Sequence, residues 1–287
     1  MHADNFSLAR YFDRIGYAGP AHADMATVSE LMRRQLYTVP FENLDVQAGL
    51  GVSLAPEDIA DKILARGRGG YCYEVNGLFC MAMQALGVPY RYVAARPMFY
   101  PARRPRTHMA LVLRLDGQDW LCDLGFGSYG IRAPMSLAEL DTDIRQDMDR
   151  FMLSREADGV YVLKAWRDGG WQNQYGFDLS PQEWIDFAPA NYLNSNHPDA
   201  IFVQKRVVVL HSERGRAILV GNTLKLVDET GTVESELDDG AVAQRCASAS
   251  AWRRPEAAQS NTPDSTSATT EVAMATRIRS LPATRHS

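Results

Sequence analysis

The chain has 287 residues, of which 46% are hydrophobic and 23% charged, and its formal net charge is -5. This composition predicts a soluble protein with a sizeable core, folded as one large or two small domains. The negative charge, the lack of an extended Lys/Arg cluster and the lack of a long apolar run exclude nucleic-acid binders and membrane-spanning proteins from the expected classes.

The first third of the chain has the hydrophobic spacing of helices. Apolar residues recur every three or four positions in residues 25–40, which end at Pro40. The same spacing continues through residues 55–70, where Pro56 suits a first turn and a cluster of glycines ends the helix. A third helix is predicted over residues 72–87.

After the third predicted helix the pattern changes to the two-residue period of strands. Asp116-Gly117 and Asp158-Gly159 have the composition of tight hairpin turns. Because helices come first and strands later, without alternation, the sequence favours an α+β fold over a doubly wound sheet. The predicted strands lie in residues 89–100, 107–115, 118–126, 151–166 (a hairpin) and 205–231 (a three-stranded meander).

The composition changes again near the C-terminus. From Cys246 onward, Ser, Thr, Ala, Pro and Arg dominate and the apolar periodicity is lost. Such a segment does not bury enough apolar surface to fold by itself, so residues 247–287 are predicted to be mostly disordered.

Cys72 follows Gly69, Gly70 and Tyr71 at the predicted start of a helix. Unpaired backbone N–H groups and the helix dipole favour negative charge at such a position, and the thiolate is the nucleophilic form of cysteine. The two glycines leave room for an acyl donor to approach the sulfur. The competing interpretation is a small buried residue without a chemical role, which is the commonest fate of a cysteine.

The four cysteines form no dense framework, which favours free thiols in a reducing cytoplasm. A structural zinc site is the alternative use of cysteine, but the sequence has no CxxC or HxxxH pair. The sequence therefore predicts a cytoplasmic protein without a metal site.

His108 and Asp123 are the candidate partners of the thiol. A two-residue turn at Asp116-Gly117 places position 110 opposite Asp123, so His108 lies diagonally from Asp123 on the same face of the hairpin. The pair alone is compatible with a purely structural hydrogen bond. Together with Cys72, it predicts a Cys-His-Asp triad, in which a base activates the nucleophile and a carboxylate orients the base.

Five motifs in this chain resemble the ordered motif set of the arylamine N-acetyltransferases. The resemblance runs from about residue 6 to about residue 230, and the order and spacing of the motifs make it specific. The motifs are VPFENLD (39–45), RGGYCYEVNGLF (68–79), THMALVL (107–113), CDLGFGS (122–128) and NSNHPDAIF (194–202).

The resemblance implies an α+β fold with an N-terminal helical bundle, a central antiparallel β-barrel and a C-terminal α/β lid. It also implies a triad core similar to that of papain-like and transglutaminase-like enzymes. The corresponding domains are residues 1–88 with the nucleophile, 89–195 with the histidine and aspartate, and 196–245 as a lid. Residues 246–287 form the predicted disordered tail.

For the triad, the resemblance implies that Cys72 takes the acetyl group from acetyl-CoA as a thioester. His108 activates the thiol and later receives a proton from the amine, while Asp123 holds the imidazole tautomer. The backbone amides of Tyr71 and Cys72 are the candidate oxyanion contacts. Acetyl-CoA is expected as a co-substrate, with no permanently bound cofactor.

For substrate binding, the resemblance implies contacts from Phe126, Gly127 and Thr107 to an arylamine or hydrazine. Glu42 and Arg68 match a buried pair that supports the turn before the nucleophile. Such a pair is as well suited to fixing geometry as to adding stability.

Two alternatives to acetyl transfer use the same triad. One is a hydrolase of thioesters or peptides, and the other is an amide synthase that acts on a carrier-bound acyl chain. The chain also departs from the family pattern after residue 230, where a predicted helix begins in VESELDDGAVAQRC and then loses its periodicity. Either the lid is shorter in this branch, or the reading frame changes near residues 243–246 and the tail is unrelated sequence.

Overall fold

The computed structural model describes residues 1–127 and 129–247. The chain is an α+β protein, as predicted, with most helices before the strands. The predicted disordered tail lies outside the described residues except for its first positions, which belong to a helix that ends at Ala247. No helix of the described part is both long and apolar enough to cross a membrane.

The N-terminal helices confirm two of the three sequence predictions and modify the third. The segment predicted as one helix over residues 55–70 is a short α-helix followed by a π-helical turn, Asp61–Ala65. Asp24 caps the second helix by accepting a hydrogen bond from the Thr27 amide at 2.8 Å. The helices are α1 (Leu8–Ile15), α2 (Met25–Thr38), α3 (Leu44–Gln47), α4 (Pro56–Ala60) and α5 (Cys72–Leu86).

The larger sheet has eight antiparallel strands in the order β5-β4-β3-β2-β9-β8-β7-β6. The predicted strands in this part of the chain are present, but strands β5, β6 and β9 have no counterpart in the sequence prediction. The strands are β2 (Tyr90–Pro97), β3 (His108–Leu115), β4 (Gln118–Cys122), β5 (Met135–Ser136), β6 (Ile144–Gln146), β7 (Asp149–Arg155), β8 (Tyr161–Arg167) and β9 (Gly170–Phe177).

This sheet is curled but does not close into the predicted barrel. Its edge strands β5 and β6 are not paired with each other within the described residues. Instead, the Gln146 side chain bridges the two edges: it donates to the Ala133 carbonyl at 3.0 Å and accepts from the Arg132 amide at 2.7 Å. The architecture is therefore a half-barrel whose edges are joined by side-chain contacts.

The β3–β4 hairpin has the predicted register. Leu115 pairs with Gln118 and Leu111 pairs with Cys122 across the turn. Asp116 and Gly117 both have positive φ angles, of 50° and 73°, as a type I′ turn requires. Strand β4 ends at Cys122, so Asp123 is the first residue beyond the strand.

The smaller sheet has the order β1-β10-β11-β12-β13, and all its pairs are antiparallel. It contains four consecutive C-terminal strands, whereas the sequence predicted three. The start of the predicted C-terminal helix is in fact strand β13, because residues 231–236 pair with β12. The strands are β1 (Phe41–Glu42), β10 (Val207–Ser212), β11 (Gly215–Val220), β12 (Thr223–Asp228) and β13 (Gly231–Glu236).

Three helices accompany the smaller sheet: α6 (Ala188–Asn196), α7 (Ile201–Gln204) and α8 (Asp239–Ala247). The pairing of β1 with β10 joins the predicted helical bundle to the predicted lid. The division of the chain into domains at residues 88, 195 and 245 stays a prediction, as does the likeness to cysteine proteases.

Helix α5 lies in the main core, and nearly every residue of its first three turns is buried. Its apolar side chains share one continuous core with helix α2 and with strands β2, β3 and β4. Burial on all sides fixes the position of the N-terminus of α5 relative to the β3–β4 hairpin.

Candidate active site

Cys72 is the first residue of α5 and is only 4% exposed. The preceding turn runs against strand β1, where the Glu42 amide donates to the Gly70 carbonyl at 3.0 Å. This close approach requires glycine, because a Cβ atom on Gly69 would lie 2.0 Å from the Pro40 carbonyl oxygen. The RGG motif thus sets the entry of the chain into the helix that carries the thiol.

His108 and Asp123 lie together as the hairpin register predicts. Nε2 of His108 is 2.7 Å from Oδ2 of Asp123, and the two residues are 5% and 1% exposed. The Cys72 side chain lies at the His108 ring, since both residues line one cavity and Cys72 contributes to the pKa of the imidazole. Because a carboxylate only accepts, Nε2–H of His108 donates to Asp123. The structure therefore brings all three predicted triad residues together: Cys72 and His108 line the same cavity, and Asp123 is bonded to His108.

The electrostatics of this group favour a charged imidazole. Burial by itself lowers the pKa of His108, but the charge and hydrogen bond of Asp123, together with a contribution from Cys72, raise it to about 10. An imidazolium beside a thiol stabilises the thiolate, which is the reactive form.

Asn76 is a part of this site that the sequence analysis missed. Its Nδ2 donates to the Met109 carbonyl at 2.8 Å and to Oδ1 of Asp123 at 3.1 Å, and its Oδ1 accepts from the Leu124 amide at 2.9 Å. It lies one helical turn after Cys72, on the face that meets the hairpin. The four-residue spacing from Cys72 was the available sequence signal for Asn76, but apolar periodicity alone does not reveal a buried amide.

Gly125 allows the loop after Asp123 to lie against Cys72. A Cβ atom at this position would be 2.5 Å from the Cys72 Cα atom and 2.9 Å from its Cβ atom. Its amide also donates to Oδ1 of Asp123 at 2.9 Å. The glycine is therefore required by the close approach of the two segments.

We expect Gly125→Ala to lower both the melting temperature and the rate of acetylation. The added methyl group displaces the backbone at Cys72, and overpacking of this kind costs about 1–3 kcal/mol. Calorimetry and the rate of thiol acetylation measure the two effects. Gly170→Ala is the matched control, since a Cβ atom there meets open space; equal behaviour of the two variants would contradict the assigned packing.

A cavity of about 310 Å³ opens onto the thiol. Its wall is mainly apolar and aromatic, as suits a small organic ligand. Among the predicted substrate-binding residues, Thr107 and Phe126 line it. Further lining residues are Phe41, Pro97, Phe99, Tyr100, Arg104, Pro105, Gly125, Leu193, Asn194, His197, Asp199, Ala200, Ile201 and Phe202.

Gly127 is placed differently from the two other predicted substrate-binding residues. It is not among the residues that line the cavity, and its carbonyl oxygen accepts a hydrogen bond from Nε2 of His211 on β10 at 2.8 Å. Its contact with a substrate stays a prediction.

The NSNHPDAIF motif supplies one wall of the cavity. Asn194 is part of this wall, and its Nδ2 donates to the Thr107 carbonyl at 2.9 Å. The hydroxyl of Tyr73 donates to the same carbonyl at 2.8 Å. These two bonds hold the residue before His108 in place, so this motif supports the site as well as lining it.

The predicted Glu42–Arg68 pair is present, at 2.8 Å, but Arg68 is 31% exposed and the pair belongs to a larger charged group. Arg68 also contacts Asp45 at 3.0 Å, and Lys62 contacts both Asp45 and Glu74 at 2.7 Å. The sequence analysis missed these three additional residues. Their charges are spread over separate segments, so no local pattern reveals the group.

A member of this charged group, Glu74, occupies one of the two backbone amides that were predicted to bind an oxyanion. The Tyr71 amide donates to Oε2 of Glu74 at 3.0 Å, so it is not free to bind a developing oxyanion. The Cys72 amide is the remaining candidate of the two.

The basic loop before His108 lies at the cavity. Arg104 is one of the lining residues, and its guanidinium lies 4.7 Å from the centre of the Tyr100 ring. Arg106 forms an ion pair with Asp178. In the part of the chain that the structure describes, no group of three His, Cys, Asp or Glu side chains is placed to hold a metal ion.

Comparison with known proteins identifies relatives over most of the chain. An N-acetyltransferase family model matches residues 24–247. The arylamine N-acetyltransferase of Escherichia coli is 32% identical over 219 residues, which cover 75% of this chain and 76% of that protein. The arylamine N-acetyltransferase of Mycobacterium bovis is 34% identical over 243 residues, covering 82% and 84%.

A solved structure shows the same fold. The arylamine N-acetyltransferase of Mycobacterium marinum, in complex with CoA, matches with a TM-score of 0.78 at 31% identity, and the match covers 83% of this chain and 90% of that one. The family model, the sequence relatives and the fold agree. The chain therefore belongs to the arylamine N-acetyltransferase family, a family of acyltransferases.

Proposed function

We propose that this protein transfers an acetyl group from acetyl-CoA to an arylamine or arylhydrazine through a thioester on Cys72. The observation that carries the proposal is that Cys72 and the hydrogen-bonded His108–Asp123 pair meet at one apolar cavity. The CoA complex of the Mycobacterium marinum relative supports acetyl-CoA as the donor. No resident cofactor takes part in this scheme.

In the first half-reaction the Cys72 sulfur attacks the acetyl carbonyl carbon of acetyl-CoA. The bond between that carbon and the CoA sulfur breaks, and the leaving thiolate takes a proton from His108. The product is an acetyl thioester on Cys72 and free CoA. Exchange of one thioester for another is nearly isoenergetic, so the protein needs only to position the groups and manage one proton.

In the second half-reaction the amine nitrogen attacks the thioester carbon and the bond to Cys72 breaks. His108 receives the proton that the nitrogen loses, and Asp123 stabilises the resulting imidazolium. Arylamines are weakly basic and therefore neutral at pH 7. A neutral aromatic nucleophile suits a cavity lined by Phe126 and Phe202.

Four free cysteines occur in the described residues, at positions 72, 80, 122 and 246. Free thiols persist in a reducing compartment. We therefore propose that the protein acts in the cytoplasm. The proposed substrates are small molecules, with no part for nucleic acid or membrane.

We expect ping-pong kinetics. Because Cys72 holds the acetyl group between two half-reactions, CoA leaves before the amine binds, and double-reciprocal plots at several amine concentrations are parallel. Initial rates with an arylamine and a hydrazine measure this. Intersecting lines would indicate direct transfer between two bound substrates, and steady CoA release without amine would indicate a hydrolase. An amide synthase would instead leave Cys72 unacetylated by acetyl-CoA and require a carrier-bound acyl chain.

A further inference from the structure

The cap of helix α5 is a buried carboxylate that contacts two donors at once. Oε2 of Glu74 accepts from the Tyr71 amide at 3.0 Å, and Oε1 accepts from Nζ of Lys62 at 2.7 Å. The Glu74 and Lys62 side chains are 3% and 5% exposed. Tyr71 is the residue immediately before Cys72, so this cap lies in the same turn as the thiol.

We infer that Glu74 is a positioning residue for Cys72, and that its ionised form holds the first turn of α5 in the arrangement that presents the sulfur. The inference rests on the proposed role of Cys72 as nucleophile. A carboxylate accepts on both oxygens and so satisfies both donors. A protonated carboxyl group turns an O–H toward one of them and loses that contact.

The charges around Glu74 come from three segments. Lys62 on the π-helical turn faces it directly, Asp45 on α3 contacts the same ammonium group, and Glu42 on β1 is close enough to oppose its ionisation. Arg68 neutralises the far side of the group by pairing with Glu42 and Asp45. Three carboxylates thus share two cations, and Glu74 is the carboxylate nearest the thiol turn.

The balance of these effects places the titration of Glu74 near neutrality. Burial raises the pKa of Glu74 to about 7, although Lys62 and the Tyr71 amide act in the opposite direction. Protonation near pH 7 therefore breaks one of the two contacts. The acetylation rate of Cys72 should then fall on the acid side of about pH 7, and this fall is the acid limb of the rate profile.

The test is the rate of Cys72 acetylation between pH 6 and pH 8, measured by intact mass in single-turnover experiments. Glu74→Gln supplies one acceptor oxygen instead of two, so we expect acetylation about tenfold slower at pH 8 and no acid limb near pH 7. Lys62→Gln removes the cation that favours the ionised form of Glu74, which raises the pKa of Glu74, so the acid limb of this variant should move to higher pH. Asp61→Asn is the matched control, because it removes an exposed carboxylate paired with Arg66, and it should keep the acid limb of the unchanged protein.

A second measurement separates this inference from the proposed function. Alkylation of Cys72 by iodoacetamide needs no acetyl donor, and it should show the same limb and the same response to Glu74→Gln. Absence of acetylation in the unchanged protein would contradict the proposed function but leave the alkylation test valid. An acid limb unchanged in both Glu74→Gln and Lys62→Gln would overturn the positioning role. If Glu74→Gln does not fold, Lys62→Gln decides alone: an acid limb moved to higher pH supports the positioning role of Glu74, and an unmoved limb overturns it.

The pH dependence of stability gives an independent check of the direction in which the pKa of Glu74 is shifted. A carboxyl group whose pKa is raised by folding, from its ordinary 4.5 to about 7, makes the folded state less stable as the pH rises through that interval. The free energy of unfolding of the unchanged protein should therefore fall, relative to Glu74→Gln, between those pH values and stay level above them. If the difference in free energy of unfolding between the two proteins were constant across this pH range, it would contradict the assigned titration of Glu74.

Discussion

Cys72→Ser should remain folded and gain no acetyl group from acetyl-CoA. The replacement is nearly isosteric, so the packing at the start of α5 is preserved. The serine hydroxyl is far less acidic than a thiol and is not ionised by the neighbouring imidazolium, so transfer to an arylamine should fall by roughly 10⁴-fold or more. Intact-mass measurement of the unchanged protein should show the added mass of one acetyl group, located on Cys72 by peptide mapping.

The other cysteines provide the controls for this result. Cys80 and Cys122 are buried and unavailable to a donor, and burial raises the pKa of both thiols. Cys246 is partly exposed at the end of α8, so Cys246→Ser tests removal of a thiol away from the cavity and should keep full activity. An acetyl group found on any of these three, or retained by Cys72→Ser, would overturn the nucleophile assignment.

Asp123→Asn should reduce the rate by about 10⁴-fold, the effect known for the equivalent change in serine proteases. Asp123 accepts three hydrogen bonds: from Nε2–H of His108 on one oxygen, and from the Gly125 amide and Nδ2 of Asn76 on the other. An asparagine has only one acceptor oxygen. Its NH₂ group would face either the His108 ring, which would then carry its proton on Nδ1, or the Gly125 amide and Nδ2 of Asn76, which would then lose their acceptor.

The matched control for this variant is Asp119→Asn on strand β4, which ends just before Asp123 in the chain. Asp119 is partly exposed and pairs with Arg91 and Arg114 at the surface, where ion pairs contribute little. Both proteins should be compared by rate and by melting temperature. A rate loss in Asp123→Asn that is no larger than in Asp119→Asn would show that Asp123 serves the fold alone.

Local patterns in the sequence were enough to predict much of the fold. Helices α2 and α5 appear where the apolar spacing predicted them, and the β3–β4 register follows from the two-residue turn at Asp116-Gly117. From that register alone, His108 and Asp123 were expected to meet, and they do. These features depend on residues close in sequence, where periodicity and turn geometry leave few choices.

The elements that the sequence analysis missed depend on distant partners. Strand β13 is exposed along its whole length, so it has no apolar alternation, and it is a strand because it pairs with β12. The π-helical turn after α4 interrupts a segment whose composition favours a continuous helix. The half-barrel stays open because its edges meet through Gln146 and not through backbone pairing.

The sequence by itself determined the turn before Cys72 and the His–Asp hairpin, because each depends on residues close together in the chain, and it determined the family, because five motifs occur in the expected order. Only the tertiary structure decided that Asn76 joins helix α5 to the β3–β4 hairpin, and that Lys62 and Glu74 form an ion pair next to the turn before Cys72. The physical reason is that a buried polar group must find its partners wherever packing places them, and those partners come from segments far apart in the chain.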